Sequence, residues 1–142
     1  MPVVKGNKRN EYDVKTIANV LKSLKFEADK SGVELMVVLE KSLIMPISGR
    51  IAVASTAFGN GVFEGVLTAL GIQYQVVRPI DWQKVILRGL DTSDTKKASI
   101  LYCSRRFPSV DWHPTARSTT DHTGLCDATC LAVYGQLISK TI

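Results

Sequence analysis

The chain lacks several things that would each place it quickly. No stretch of its 142 residues approaches the roughly 20 consecutive apolar residues of a membrane span. The opening "MPVVKGNKRNEYD" is polar and has no secretory apolar region. Three cysteines, an odd number, argue against a disulfide framework and fit a reducing compartment. Only two histidines, His113 and His122, limit histidine-based metal sites. No internal repeat or low-complexity tract appears. These absences predict a soluble, cytoplasmic protein with no membrane partner, an organelle remaining open. At 45% hydrophobic content the length suits one domain, residues 1–142.

Positive charge is present in modest excess, +5 overall with a pI near 9.2. The basic residues recur in pairs, Lys8-Arg9, Lys96-Lys97 and Arg105-Arg106. Such a surface suits an acidic partner, most commonly nucleic acid through its phosphates, although solvated lysines explain the same charge.

The hydrophobic pattern alternates helix with strand. Asp13 followed by Val14, Ile17, Ala18, Leu21, Leu24 and Ala28 has helical spacing, with Lys15, Lys22 and Lys25 turned outward and Gly32 as the stop. The apolar run Leu35 to Leu39, ending on Glu40, reads as a central strand covered on both faces. After the turn-like "MPISG", residues 50 to 70 form a small-residue helix closed by Gly71. Gly61 and Gly65 are expected to let another backbone approach it.

"IQYQVV" is a second strand, and Pro79 with Asp81 opens a short helix through Trp82 and Leu87. "DTSDTKKASILYCSRRF" is a further helix, capped by Thr92, Ser93 or Asp94 and stopped by Pro108. The polar "VDWHPTARSTTD" then leads as a mobile loop into a last helix around "HTGLCDATCLAVYG". The sum is an α/β domain, a mixed sheet flanked by helices.

Two acids stand out. Glu40 ends a strand, where ligands gather in open α/β sheets. Asp127 sits where the last helix begins, on a stripe with Leu131, Tyr134 and Ile138 that should point inward. An acid there needs a partner, because an unpaired buried charge is costly. Meeting at one rim of the sheet, the two carboxylates would suit Mg²⁺. The bland alternative leaves Glu40 in solvent and Asp127 as a helix N-terminal acid. A rival set, His122, Cys126 and Cys130 at intervals of four, faces the objection that structural zinc draws four ligands from two clusters. Cysteines among Leu and Ala are more often small core residues.

Six stretches in order, "VVLEKS", "FGNGVFEGVLTALGI", "VRPIDWQKVI", "DTKKASI", "RRFPSV" and "GLCDATCLAVYG", resemble the RuvC-like Holliday-junction resolvases, nearest to the bacteriophage and chloroplast branch. The resemblance spans about residues 1 to 139. It implies an RNase H-like fold, a homodimer acting on DNA four-way junctions, and phosphodiester cleavage with Mg²⁺ or Mn²⁺. It casts Glu40 and Asp127 as catalytic metal ligands. Lys84 and Lys96 match positions where relatives hold phosphate, and Lys97 and Arg50 are grouped with them as nucleic-acid-binding residues.

Two departures accompany the resemblance. Relatives place Asp, Glu or His four residues before the last-helix acid; here Thr123 stands there, with Asp121 and His122 near enough to substitute. Relatives also open with a strand carrying the first metal-binding Asp and a following hairpin, whereas this chain starts at Met1-Pro2, beyond that segment. The expectation is therefore an N-terminally truncated resolvase domain, its missing segment supplied upstream or in trans. The alternative is a non-catalytic module that keeps the fold and binds DNA or a protein partner.

Overall fold

The computed structural model describes residues 3–5, 10–42, 49–113, 115, 118 and 120–140. The basic pair Lys8-Arg9 and most of the "MPISG" turn lie outside them. The fold is mixed α/β, with five helices and a small parallel sheet among the described residues. No helix among these residues is long and apolar enough to cross a membrane.

Two short strands open the chain, β1 (Val3–Lys5) and β2 (Asn10–Tyr12), paired antiparallel with Val3 opposite Tyr12. Asp13 then caps α1 (Val14–Lys30), accepting from the Thr16 amide at 3.0 Å and its hydroxyl at 2.7 Å. Gly32 ends the turn after the helix at φ +65°, a conformation that penalises a Cβ. Strand β3 (Met36–Glu40), helix α2 (Arg50–Ala69) and strand β4 (Gln73–Val77) follow, and β3 pairs with β4. The helices α3 (Pro79–Ile86), α4 (Thr95–Arg106) and α5 (Thr123–Ser139) complete the order. Asp94 is the residue that caps α4, accepting from the amides of Lys96 and Lys97.

The chain divides into two compact units, Met1–Val37 with Ser42–Gln75, and Val38–Lys41 with Val76–Ile142. In the first, α1 packs on α2, and Ile17, Leu21, Leu67 and Ile72 are buried. The expected inward stripe of α1 is only partly realised, since Val14 is 40% and Leu24 51% exposed. Helical spacing identifies a face but not how much of it a neighbour covers.

Within the chain, Cβ positions built at Gly61 and Gly65 meet nothing within 4 Å among the described residues, so the sheet does not press on that glycine face. A Cβ at Gly59 would lie 2.5 Å from the Tyr12 ring. That ring in turn contacts Phe58 with centroids 5.9 Å apart. The close approach to α2 within the chain is an aromatic side chain seated on Gly59.

The second unit carries a continuous core: Val77, Trp82, Ile86, Leu87, Ala98, Cys103, Trp112, Cys126, Cys130 and Leu131. Helix α5 packs against α3 and α4. Strand β3 is half-buried throughout and exposed at Glu40, rather than covered on both faces. An apolar run signals partial burial but cannot count the neighbours that supply it.

Candidate functional site

Glu40 ends β3, and its backbone is held there because the Lys41 amide donates to the Val77 carbonyl at 2.7 Å. Its side chain is exposed but anchored. The Trp82 indole N–H, on a side chain 1% exposed, donates to Glu40 Oε1 at 3.1 Å. Burying an indole nitrogen requires a partner, so one carboxylate oxygen satisfies the core while the residue remains open to solvent. No other side-chain hydrogen bond of Glu40 is seen among the described residues. The two residues are 42 positions apart, which is why the sequence pattern did not reveal the contact.

Asp127 does not begin a helix. Helix α5 starts at Thr123, so Asp127 lies in its second turn, half-buried beside the buried Cys126, Cys130 and Leu131. The stripe expected to point inward is buried at Leu131 and half-buried at Tyr134 and Ile138. The deepest face of α5 is one position over, along Cys126 and Cys130, both 0% exposed.

The earlier start follows from an unusual cap. His122 Nδ1 accepts from the Leu125 amide at 3.1 Å, which fixes its proton on Nε2. This capping bond turns Nδ1 toward the helix backbone, and Thr123 remains the residue four before Asp127.

Asp121 turns to the other histidine. Its Oδ1 lies 3.9 Å from His113 Nε2, while His113 Nδ1 sits 2.6 Å from Asp111 Oδ1. The His113 amide, and after it the ring, hold the Asp111 carboxyl below the ordinary carboxylate range. Because an ionised Asp111 only accepts, His113 carries its proton on Nδ1. The local Asp-x-His spacing was a readable signal for half of this arrangement; the approach of Asp121 was not.

The alternative thiol site is corrected by burial. Cys126 and Cys130 face the core with Cys103, whose Sγ is 4.0 Å from that of Cys130, and His122 lies exposed at the helix end. Burial pushes the thiols of Cys103 and Cys126 up to about 12 and that of Cys130 to about 11, with Asp127 adding to each shift. Thiols so protonated are weak nucleophiles and behave as small apolar residues. Among the described residues no group of three His, Cys, Asp or Glu side chains is arranged to hold a metal ion.

The basic candidates separate. Arg50 opens α2 in the first unit. Lys84 lines a cleft of about 330 Å³ in the second unit, together with Arg88, Thr92 and Thr95. Lys96 and Lys97 are exposed on the first turn of α4, and Lys97 Nζ stands 3.7 Å from Asp94. Arg88 was not singled out from the sequence, because it has no basic neighbour in the chain. Neither a protein-family model nor a curated protein sequence matches this chain.

Proposed function

We propose that the chain is an RNase H-like domain of the RuvC type that binds branched DNA, with the four-way junction as its preferred form and a homodimer as the binding species. The observation that carries this reading is a juxtaposition within one compact unit. Glu40, fixed at a strand end by Trp82, and Asp127 on α5 share that unit with a cleft lined by Lys84 and Arg88 and by no carboxylate. A carboxylate at a strand end and a cationic cleft in the same unit suit a phosphodiester backbone.

Mg²⁺ or Mn²⁺ is the cofactor this reading implies, and carboxylate oxygens are the right donors for either. Glu40 and Asp127 are the two residues that would hold it. Two carboxylates do not make the two-ion centre that phosphodiester hydrolysis of this type uses, and the described residues offer no third partner in place. On this reading the chain is a binder of branched DNA first, and cleavage is the activity that the experiment below looks for.

Binding is tested with a labelled four-way junction and a duplex of the same base composition at two salt concentrations. The junction is expected to bind more tightly. Lys84→Ala and Lys96→Ala should each lower the salt slope by about one unit for every phosphate that the lysine neutralises. Equal affinity for junction and duplex would overturn the reading. Rapid Mg²⁺-dependent cutting that Glu40→Gln or Asp127→Asn abolishes would replace the binding module with a nuclease.

A further inference from the structure

Next to the Lys84 cleft lies a second one, of about 250 Å³, which the proposed function does not use. It is lined by Ile86, Arg88, Leu90, Tyr102, Arg105 and Arg106. Three guanidinium groups, one phenol ring and two aliphatic side chains meet there, and no carboxylate does. None of the three arginines has an ion-pair partner among the described residues, in contrast to Arg78, which grips Asp81 at 2.7 and 2.8 Å.

Arg105 and Arg106 close the last turn of α4, where a cation favours the helix dipole. Arg88 stands just past the C-cap of α3, so two helix C-termini send their cations to one cleft. Arg106 is moreover held in place, its guanidinium carbon 5.7 Å from the centre of the Phe107 ring. Like charges brought together without a counter-charge repel, and an anion seated among them relieves the repulsion.

The two clefts share Arg88 and Leu90. Through Arg88 the two clefts adjoin, so a path from one to the other is lined by Lys84 and Arg88 in the first and by Arg88, Arg105, Arg106 and Tyr102 in the second. A lone phosphate needs only the cations. A row of cations ending in an aromatic and aliphatic pocket suits a ligand that repeats phosphates and carries flat, apolar bases.

We propose that this path holds an unpaired segment of a DNA strand, with a base against Tyr102, Ile86 and Leu90 and its phosphates along the arginines and Lys84. The inference rests on the branched-DNA reading for its context, since a branch point is where a strand most readily loses its pairing.

The test compares three labelled DNAs by fluorescence anisotropy: a fully paired junction, the same junction with a short unpaired thymidine tract, and a free oligothymidine. Tyr102→Ala should weaken the two unpaired ligands about ten-fold and leave the paired junction unchanged, because base stacking disappears while the phosphates stay held. Tyr102→Phe should bind like the parent. Arg88→Ala should weaken all three and reduce the salt slope by about one unit.

Tyr102→Trp supplies a readout that does not depend on the alanine variant folding: its added emission should be quenched on titration with oligothymidine. Unchanged oligothymidine affinity in folded Tyr102→Ala, or no quenching in Tyr102→Trp, would overturn the inference. So would equal quenching by thymidine monophosphate at the same nucleotide concentration, which would mark a mononucleotide pocket instead of a strand path. The two readings fail separately. Quenching by oligothymidine with no preference for junction over duplex would remove the junction and keep the path; junction preference without quenching would do the reverse.

Discussion

The two compact units organise their apolar residues differently. In the C-terminal unit ten buried residues touch as one cluster, drawn from β4, α3, α4, α5 and the segment holding Trp112. Among the described residues of the N-terminal unit burial is confined to a few positions, Ile17, Leu21, Gly59, Leu67 and Ile72, and the long helices α1 and α2 leave Val20, Leu24, Phe26, Ile51 and Phe58 exposed. A connected core transmits the loss of any member, because close-packed neighbours relax only partly into a void. The candidate site residues other than Arg50 belong to the connected unit.

Trp82→Ala is the strongest way to break this comparison. It empties the largest fully buried side chain and removes the donor to Glu40 at once. A cost of about 3–5 kcal/mol is expected in denaturant unfolding. Trp112→Phe should cost much less. Trp112 is also buried, yet its indole N–H has no hydrogen-bond partner among the described residues, so the substitution removes an unsatisfied donor along with some packing. Trp82→Phe, the like-for-like change, should cost more than Trp112→Phe because it also strips the donor from Glu40; equal destabilisation by these two would remove that bond from the account.

The same contrast explains what could be read from the chain in advance. Features set by neighbours in sequence were legible: the helix that follows Asp13, the stop at Gly32, a cap for α4 among Thr92, Ser93 and Asp94, and the identity of Cys126 and Cys130 as small core residues. The start of α5 was misplaced because histidine is an uncommon cap, and its ring nitrogen does the work usually given to Ser or Asp. Features set by distant partners were not legible. Glu40 with Trp82, Gly59 with Tyr12, and Arg88 with Arg105 and Arg106 each need the fold to bring the residues together.

Gly59 offers the next test, of middle size, in the N-terminal unit. A Cβ there overlaps the Tyr12 ring, which must swing away from its place beside Phe58. Gly59→Ala should destabilise by about 1–3 kcal/mol despite the better helix propensity of alanine. Gly61→Ala and Gly65→Ala, with open space around the added methyl, should instead stabilise by up to about 1 kcal/mol each. Matching signs at all three positions would show that Tyr12 does not rest on α2.

The smallest effects are expected in acid, and they compare the units directly. Asp13 belongs to the first unit and Asp81 to the second. The Thr16 amide and then its hydroxyl hold the Asp13 carboxyl below the ordinary value of 3.8, and the Arg78 guanidinium does the same for Asp81. A carboxyl whose folded value is depressed binds fewer protons in the native state than in the unfolded one. Its stabilisation is complete above the ordinary value and is lost as pH falls through the depressed one. Asp13→Asn keeps a capping oxygen and removes the titration, so the melting temperature near neutrality should barely move while its decline between about pH 5 and pH 2 becomes shallower. Asp81→Asn should flatten the same decline and also lower the neutral value slightly, because its pairing with Arg78 is lost. An unaltered acid limb in either variant would remove that carboxyl from the balance. A single melting transition that answers to both substitutions would show the two units unfolding together; two transitions, each answering to one, would show that the connected core of the second unit holds without the first.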